Sequence, residues 1–231
     1  MKVGVVVFPG SNCDRDSEYC FGTLMGHEVV RLWHKDASLP SLDLVVIPGG
    51  FSYGDYLRSG ALARFSPVME SVTAFANEGG KVLGICNGFQ ILCEAGLLPG
   101  TLRLNTPKRF VCKNIHLLPE VKSNMPTASL DPQKPLQIPI AHGEGSYYAD
   151  RDTLSSLRVN NQILFRYCDE NGHVSDAVNP NGSVDGIAGI SSANHCVVGM
   201  MPHPERAADP QQGNTDGLAL LQSLLTFWTK H

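Results

Sequence analysis

The run Val82-Leu83-Gly84-Ile85-Cys86-Asn87-Gly88-Phe89-Gln90 constrains the fold more than any other stretch, because it sets one cysteine at a bend between an apolar strand and a helix. Gly84 and Gly88 flank Cys86 in a Gly-x-Cys-x-Gly spacing. Small residues at those positions let strand and helix approach closely around a strained central residue and hold its sulfur at the carboxyl end of the strand. This is the thiol form of a nucleophile elbow. The same pattern is open to a plainer reading, since most cysteines are small buried hydrophobes, so the reading depends on what else the chain supplies.

Two further stretches supply it. Val197-Val198-Gly199-Met200-Met201 is an apolar run followed by Pro202-His203-Pro204-Glu205-Arg206. The two prolines stiffen the backbone on either side of His203. On an extended segment, side chains two apart project the same way, so Glu205 is placed to orient His203 and fix its tautomer. Leu44-Val45-Val46-Ile47 is a second apolar strand ending in Pro48-Gly49-Gly50. Glycines in such a turn can turn backbone N–H groups toward a ligand, and losing one such donor to a developing oxyanion typically costs about 100- to 1,000-fold in rate. Gly50 N–H and Asn87 N–H are the candidates, with Gly49 beside them. A turn that uses its glycines for conformation alone would read identically.

The hydrophobic pattern predicts alternating strands and helices in the first half. Strands are expected at Val3–Phe8, Glu28–Trp33, Leu42–Ile47 and Lys81–Ile85, with a helix after the first strand that Asp14 or Asp16 could cap. A helix over Pro67–Asn77 is stopped by Gly79-Gly80. Continuous β-branched strands imply a parallel sheet covered on both faces. Beyond Gly96 the pattern changes to strands at Arg109–Leu118, Gln137–Ala141, Ile163–Tyr167, Gly186–Ser191 and Cys196–Met201, joined by Pro, Asn and Gly turns. An apolar stripe at Leu218, Leu221, Leu225 and Trp228 closes the chain as a helix. The expected fold is α/β: a flavodoxin-like open, mostly parallel sheet with helices on both faces and an antiparallel extension in the C-terminal half, in one domain over 1–231.

Charge and cysteine usage exclude several classes. The net charge is -4, and no basic stripe marks a nucleic-acid or anionic membrane surface. No apolar stretch reaches the 18 or so residues that a membrane span needs, and Val3–Phe8 is too short for a signal peptide. Seven cysteines without a Cys-x-x-Cys pair fit a reducing cytoplasm better than a disulfide framework. Cys13, Cys20, Cys93, Cys112, Cys168 and Cys196 read as structural thiols.

Taken together, Phe8-Pro9-Gly10-Ser11-Asn12-Cys13-Asp14, Pro48-Gly49-Gly50-Phe51-Ser52-Tyr53-Gly54-Asp55, the elbow through Gln90, and Met200-Met201-Pro202-His203-Pro204-Glu205-Arg206 resemble the class I, or triad, glutamine amidotransferases over nearly the whole chain. Within that family the variants look like those of the glutaminase subunits that serve the purine-pathway conversion of formylglycinamide ribonucleotide to its amidine. The resemblance implies Cys86 as the nucleophile toward the glutamine side-chain amide, His203 as base and acid, and Glu205 as its orienter. It also implies an oxyanion hole at Gly50 and Asn87, and a substrate pocket that includes Gly49, Gly50, Gln90 and His142. Gln90 lies one helical turn past the elbow, where packing is an equal reading.

The same resemblance places ATP and magnesium on a separate large synthetase subunit with a small accessory subunit, and no cofactor or metal on this chain. The absence of a Gly-x-x-x-x-Gly-Lys-Ser/Thr loop agrees with that division. Ile140-Ala141-His142-Gly143-Glu144-Gly145 is open to readings as pocket rim, partner-facing segment or plain loop, and the resemblance favours the rim. His142 and Glu144 lack the further ligands that a metal site needs. Asp14 and Asp55 sit at carboxyl ends of strands, where open α/β sheets place ligands. The competing readings are a glutaminase serving another acceptor synthase, a cysteine hydrolase on the same scaffold, and a silent binding module.

Overall fold

Residues whose side chains alternate in direction along a strand can all be buried only when both faces of the sheet are covered. The computed structural model describes residues 1–230. Its first half runs β1 (Lys2–Val7), α1 (Asp14–Glu18), β2 (Glu28–Trp33), β3 (Leu44–Ile47), α2 (Pro67–Asn77), β4 (Lys81–Ile85) and α3 (Asn87–Glu94). Its second half runs β5 (Thr101–Arg103), β6 (Val111–Pro119), β7 (Leu136–His142), β8 (Ser146–Tyr148), α4 (Arg151–Val159), β9 (Ile163–Cys168), β10 (Ile187–Ser191), β11 (Val197–Met200) and α5 (Asp216–Lys230). Every residue of β3, β10 and β11 is buried, as are Val82 to Ile85 of β4, so the centre of the sheet is covered on both sides.

The sheet has nine strands in the order β2-β1-β3-β4-β11-β10-β9-β6-β7. From β2 to β11 each neighbour is parallel, and from β11 to β7 each is antiparallel. Register decides where chemistry can happen. Ile47 at the end of β3 pairs with Gly84, and Ile85 at the end of β4 pairs with Met200 at the end of β11. The Pro-Gly-Gly turn, Cys86 and the His203 segment therefore leave the sheet side by side at one edge, although they are far apart in sequence.

The antiparallel half returns to that edge. β7 lies four strands from β11, so about 19 Å away in a flat sheet at roughly 4.8 Å per strand. Yet the His203 N–H donates to Pro139 O of β7 at 2.9 Å. Strand twist has coiled this half until its last strand lies against the segment after β11. The otherwise open edge of β7 is also closed by Asp216, which accepts from the Gln137 N–H, and by Asn214, which donates to Gln137 O. β5 and β8 form a separate ribbon, with Arg103 opposite Ser146.

Some local details differ from the sequence reading. Cys13, not Asp14 or Asp16, occupies the cap position of α1 and makes no side-chain cap bond; both acids lie in the first turn, where a negative charge suits the positive helix end. This helix widens into a π-helical turn over Tyr19–Leu24. The third strand begins at Leu44 rather than Leu42, and β6 begins at Val111, which leaves Arg109 and Phe110 in an exposed loop. On α5 the buried face includes Leu220 and Leu224, and Leu218 is only half-buried.

The elbow glycines are required by contact. A Cβ on Gly88 would lie 1.9 Å from Ile47 O, and one on Gly84 would lie 2.7 Å from the Gly88 carbonyl. The expected outcome for Gly88→Ala is a loss of about 3 kcal/mol or more. Gly79→Ala meets only open space at φ +90 and is expected to cost about 1–2 kcal/mol. Urea unfolding of both variants checks the ordering, and equal losses would show that the close approach of α3 to β3 is not what fixes Gly88.

Candidate active site

Cys86 stands between β4 and α3 at φ 51, ψ -105, a conformation that non-glycine residues seldom adopt. Holding it costs on the order of 1–3 kcal/mol, which the surrounding structure must supply. Part of that restraint is its own N–H, which donates to Met200 O at 2.7 Å and so ties the elbow to the end of β11. Its Sγ lies 3.7 Å from Ala141 O of β7, within reach of a weak thiol hydrogen bond. Parallel and antiparallel halves of the sheet thus both touch the cysteine.

His203 and Glu205 are almost wholly buried. His203 Nδ1 donates to Glu205 Oε1 at 2.7 Å, which fixes the tautomer and leaves Nε2 toward Cys86. That Nε2 makes no hydrogen bond of ordinary geometry among the described residues, so it is available to a proton on the sulfur. Burial disfavours the charged imidazolium of His203, but the Glu205 carboxylate and the neighbouring Cys86 outweigh it, and the pKa is raised to about 10. The imidazolium that forms when His203 takes the thiol proton is thus well supported at this position.

Gly49 and Gly50 run alongside. A Cβ on Gly49 would lie 2.6 Å from His203 Cε1 and 3.3 Å from Cys86 Cβ, so any side chain there would displace the pair. Gly50 has φ +130, and a Cβ on it would meet Asn12 N at 2.7 Å. Neither the Gly50 N–H nor the Asn87 N–H is engaged by another group among the described residues. Gly50 thus takes a conformation that only glycine tolerates.

Asn87 and Gln90 brace this arrangement. Asn87 Oδ1 accepts from the Ser52 N–H at 3.2 Å, and Asn87 Nδ2 donates to Gln90 Oε1 at 2.8 Å. Gln90 Nε2 donates to Glu144 O at 2.6 Å. One amide hydrogen and one lone pair of Gln90 remain for a ligand. Asp55 approaches Asn87 Nδ2 at 3.5 Å, and burial together with the Glu144 charge outweighs a Ser59 hydrogen bond and raises its pKa. Glu144 in turn accepts from the Ser59 N–H.

His142 lies beneath the rim rather than on it, being 3% exposed. Asn105 Oδ1 accepts from the Gly145 N–H, so it must also accept from His142 Nδ1, and His142 is the Nδ1–H tautomer. Burial and the nearby His203 lower its pKa to about 4. Of this run, Ala141, Gly143 and Glu144 remain half-buried. The difference arises because Gly145 has no side chain: a Cβ there would lie 2.2 Å from the His142 ring.

Cys13 is a structural thiol set against the His203 segment. Its Sγ, a His203 ring nitrogen and a Glu205 oxygen all lie within 4.8 Å of one another. Arg206 Nη2 donates to Cys13 Sγ at 3.1 Å and its Nε donates to Asp16 at 2.9 Å, linking α1 to the His203 segment. A guanidinium against the sulfur opposes a cation, so the group is a packed support for His203. Burial pushes the Cys13 thiol up to about 12. The places of Cys13, Arg206 and Asn105 in the site depend on residues far away in sequence, and local sequence signals only that Cys13 and Arg206 each follow a strand.

The chain matches the CobB/CobQ-like glutamine amidotransferase domain family over residues 1–221. It is 53% identical over 230 residues to the phosphoribosylformylglycinamidine synthase subunit PurQ of Moorella thermoacetica, covering 100% of this chain and 98% of that one. It is 54% identical over 225 residues to the PurQ subunit of Trichormus variabilis, covering 97% of each. Among solved structures, a chain of PurLQS from Thermotoga maritima superposes with a TM-score of 0.84 at 38% identity, covering 98% of both chains. A glutamine amidotransferase from the same organism, at 15% identity and a TM-score of 0.63, shares the fold. No helix among the described residues is long and apolar enough to cross a membrane.

Proposed function

This chain belongs to the CobB/CobQ-like glutamine amidotransferase family, as a phosphoribosylformylglycinamidine synthase subunit of the PurQ type, and we propose that it hydrolyses glutamine through Cys86 and delivers the ammonia to the synthetase subunit. The observation that carries this reading is the strained Cys86 with a Glu205-bound His203 beside it. In the proposed first step His203 Nε2 accepts the thiol proton and Cys86 Sγ forms a bond to the side-chain amide carbon of glutamine. Negative charge develops on the amide oxygen, where the Gly50 and Asn87 N–H groups are free to receive it. Collapse expels the amine, which takes the proton from His203 and leaves as ammonia, with a glutamyl thioester on Cys86.

Water then attacks the thioester carbonyl with His203 as base, and the thiol leaves as glutamate is formed. Throughout, Glu205 holds the Nδ1–H and stabilises the imidazolium. Gln90, with one hydrogen and one lone pair unused, is positioned to hold the substrate, and Gly49 keeps the space beside His203 open. His142 acts from beneath, keeping Asn105 and Gly145 in place.

Released ammonia is protonated in neutral water and lost as a nucleophile, so it must pass under cover to an acceptor site. In this reading that acceptor is formylglycinamide ribonucleotide on the large synthetase subunit, where ATP and magnesium are bound, with the small accessory subunit completing the assembly. The reaction on this chain is balanced as glutamine plus water giving glutamate plus ammonia. It needs no cofactor here.

Cys86→Ala in the assembled enzyme is expected to remove glutamine-dependent amidine synthesis while leaving synthesis from ammonium salts intact. Retained glutamine use would overturn the nucleophile assignment. Glu205→Ala is expected to lower the glutamine-dependent rate less than His203→Ala does, because it orients the base without transferring the proton. An equal or larger loss would give Glu205 a direct part in proton transfer.

A further inference from the structure

A buried carboxylate oxygen without a donor is costly, because burial strips away its water and nothing replaces it. Glu205 Oε2 is such an atom. The side chain is fully buried, Oε1 is taken by His203 Nδ1, and Oε2 has no hydrogen-bond partner among the described residues. The next residue along the chain, Arg206, carries a fork of N–H donors whose geometry suits a carboxylate. It does not use them there. Its Nε donates to Asp16 Oδ2 at 2.9 Å, and its Nη2 donates to Cys13 Sγ at 3.1 Å.

The guanidinium is nevertheless close to the triad. Cys13 Sγ lies within 4.8 Å of a Glu205 oxygen and of a His203 ring nitrogen, so the atom that receives Arg206 is itself a neighbour of the carboxylate. Burial disfavours the Arg206 cation, but Cys13, Asp16 and Glu205 together outweigh it, which puts Arg206 within the field of Glu205. Both anchors belong to α1: Cys13 occupies its cap position and Asp16 follows in the first turn. The anchor is firm, since the Ser17 N–H and hydroxyl both donate to the Cys13 carbonyl at 3.1 Å.

Where Arg206 sits decides how much of the Glu205 charge His203 feels. Paired with Glu205, the guanidinium would offset the charge that favours the imidazolium and draw the carboxylate away from Nδ1. The other elements around the pair supply no permanent cation. Cys86 faces His203 from the β4–α3 elbow, His142 faces it from β7, and Cys20 of the π-helical turn lies in the field of Glu205. From α5, Gly217 packs on the Pro204 carbonyl while Asp216 is turned to the Gln137 N–H.

We propose that Asp16 and Cys13 are positioning residues of the glutaminase reaction, which hold the Arg206 guanidinium off Glu205 so that the carboxylate serves His203 alone. The proposal rests on the reading of Cys86, His203 and Glu205 as the catalytic triad. It gives α1, which touches no reacting atom, a part in setting the strength of the base. It also accounts for the bare Glu205 Oε2, because the donor nearest in sequence is held elsewhere.

The test uses Asp16→Ala, Cys13→Ala and the double variant Asp16→Ala/Arg206→Gln, each assembled with the synthetase and accessory subunits. The readout is the pH dependence of kcat/KM for glutamine, with ammonium-dependent synthesis over the same pH range as the control on the synthetase. Freed from Asp16, Arg206 pairs with Glu205, the imidazolium loses support, and His203 gives up its proton at lower pH. The bell-shaped profile of Asp16→Ala should therefore move to lower pH by roughly half a unit or more. The acid limb moves if His203 is neutral in the free enzyme, and the alkaline limb moves if it is already the imidazolium. Cys13→Ala should move the profile in the same direction, and the double variant should restore it, since no guanidinium remains to reach Glu205. A profile unmoved in Asp16→Ala would overturn the proposal and leave Asp16 a structural tie. So would a shift that survives in the double variant, or one that vanishes in about 0.5 M salt, which screens a long-range field far more than a buried pair. Glutamine use retained by Cys86→Ala would instead overturn the triad reading itself.

Discussion

The contact on which the site depends is the approach of Gly88 to the Ile47 carbonyl. No other residue fits there, since a Cβ would lie 1.9 Å from that oxygen. Bringing the start of α3 so close to the end of β3 leaves no room for a gradual turn after β4, and Cys86 is forced into its positive-φ conformation. The strain is sustained by parallel pairing on both sides of β4 and by the Cys86 N–H bond to Met200 O. The reactive geometry is therefore a by-product of close packing between backbone atoms, not of any interaction that the sulfur makes.

The second half of the chain closes the arrangement. Five parallel strands alone would leave the carboxyl edge open to water. The antiparallel strands coil back so that β7 holds the His203 N–H and brings Ala141 O to the Cys86 sulfur. Around them lie buried polar groups tied together by hydrogen bonds, Asn105, Asn181 and Ser183 among them. Such a network is expensive if any member is left unpaired, which makes its arrangement specific. Cys13 and Arg206 play the same part on the other side, tying α1 to the His203 segment.

Much of this was legible in the chain because local rules carried it. The elbow glycines, the proline-bracketed histidine and the glycine turn each state a backbone requirement that few residues meet. The period of the apolar residues marked nearly every strand, and the loss of helical period after Gly96 marked the antiparallel half. Legibility failed where a role depends on distant partners. His142 reads as rim until Gly145 and Asn105 are seen to enclose it, and Cys13 reads as a plain core thiol until Arg206, some 190 residues away, is found against it. Asp14 reads as a cap, yet the turn geometry gave that position to Cys13.

The amino-acid sequence by itself determined the fold class, the cysteine that is strained, the histidine and carboxylate that accompany each other, and the turn that can offer N–H donors. Each follows from steric limits on φ and ψ or from side-chain alternation, which act over a few residues. Only the tertiary structure decided that Ile47, Ile85 and Met200 end at one edge and that β7 coils back onto that edge. Those outcomes depend on strand order, register and accumulated twist, and no short stretch of sequence encodes them, because each is a compromise among contacts spread along the whole chain.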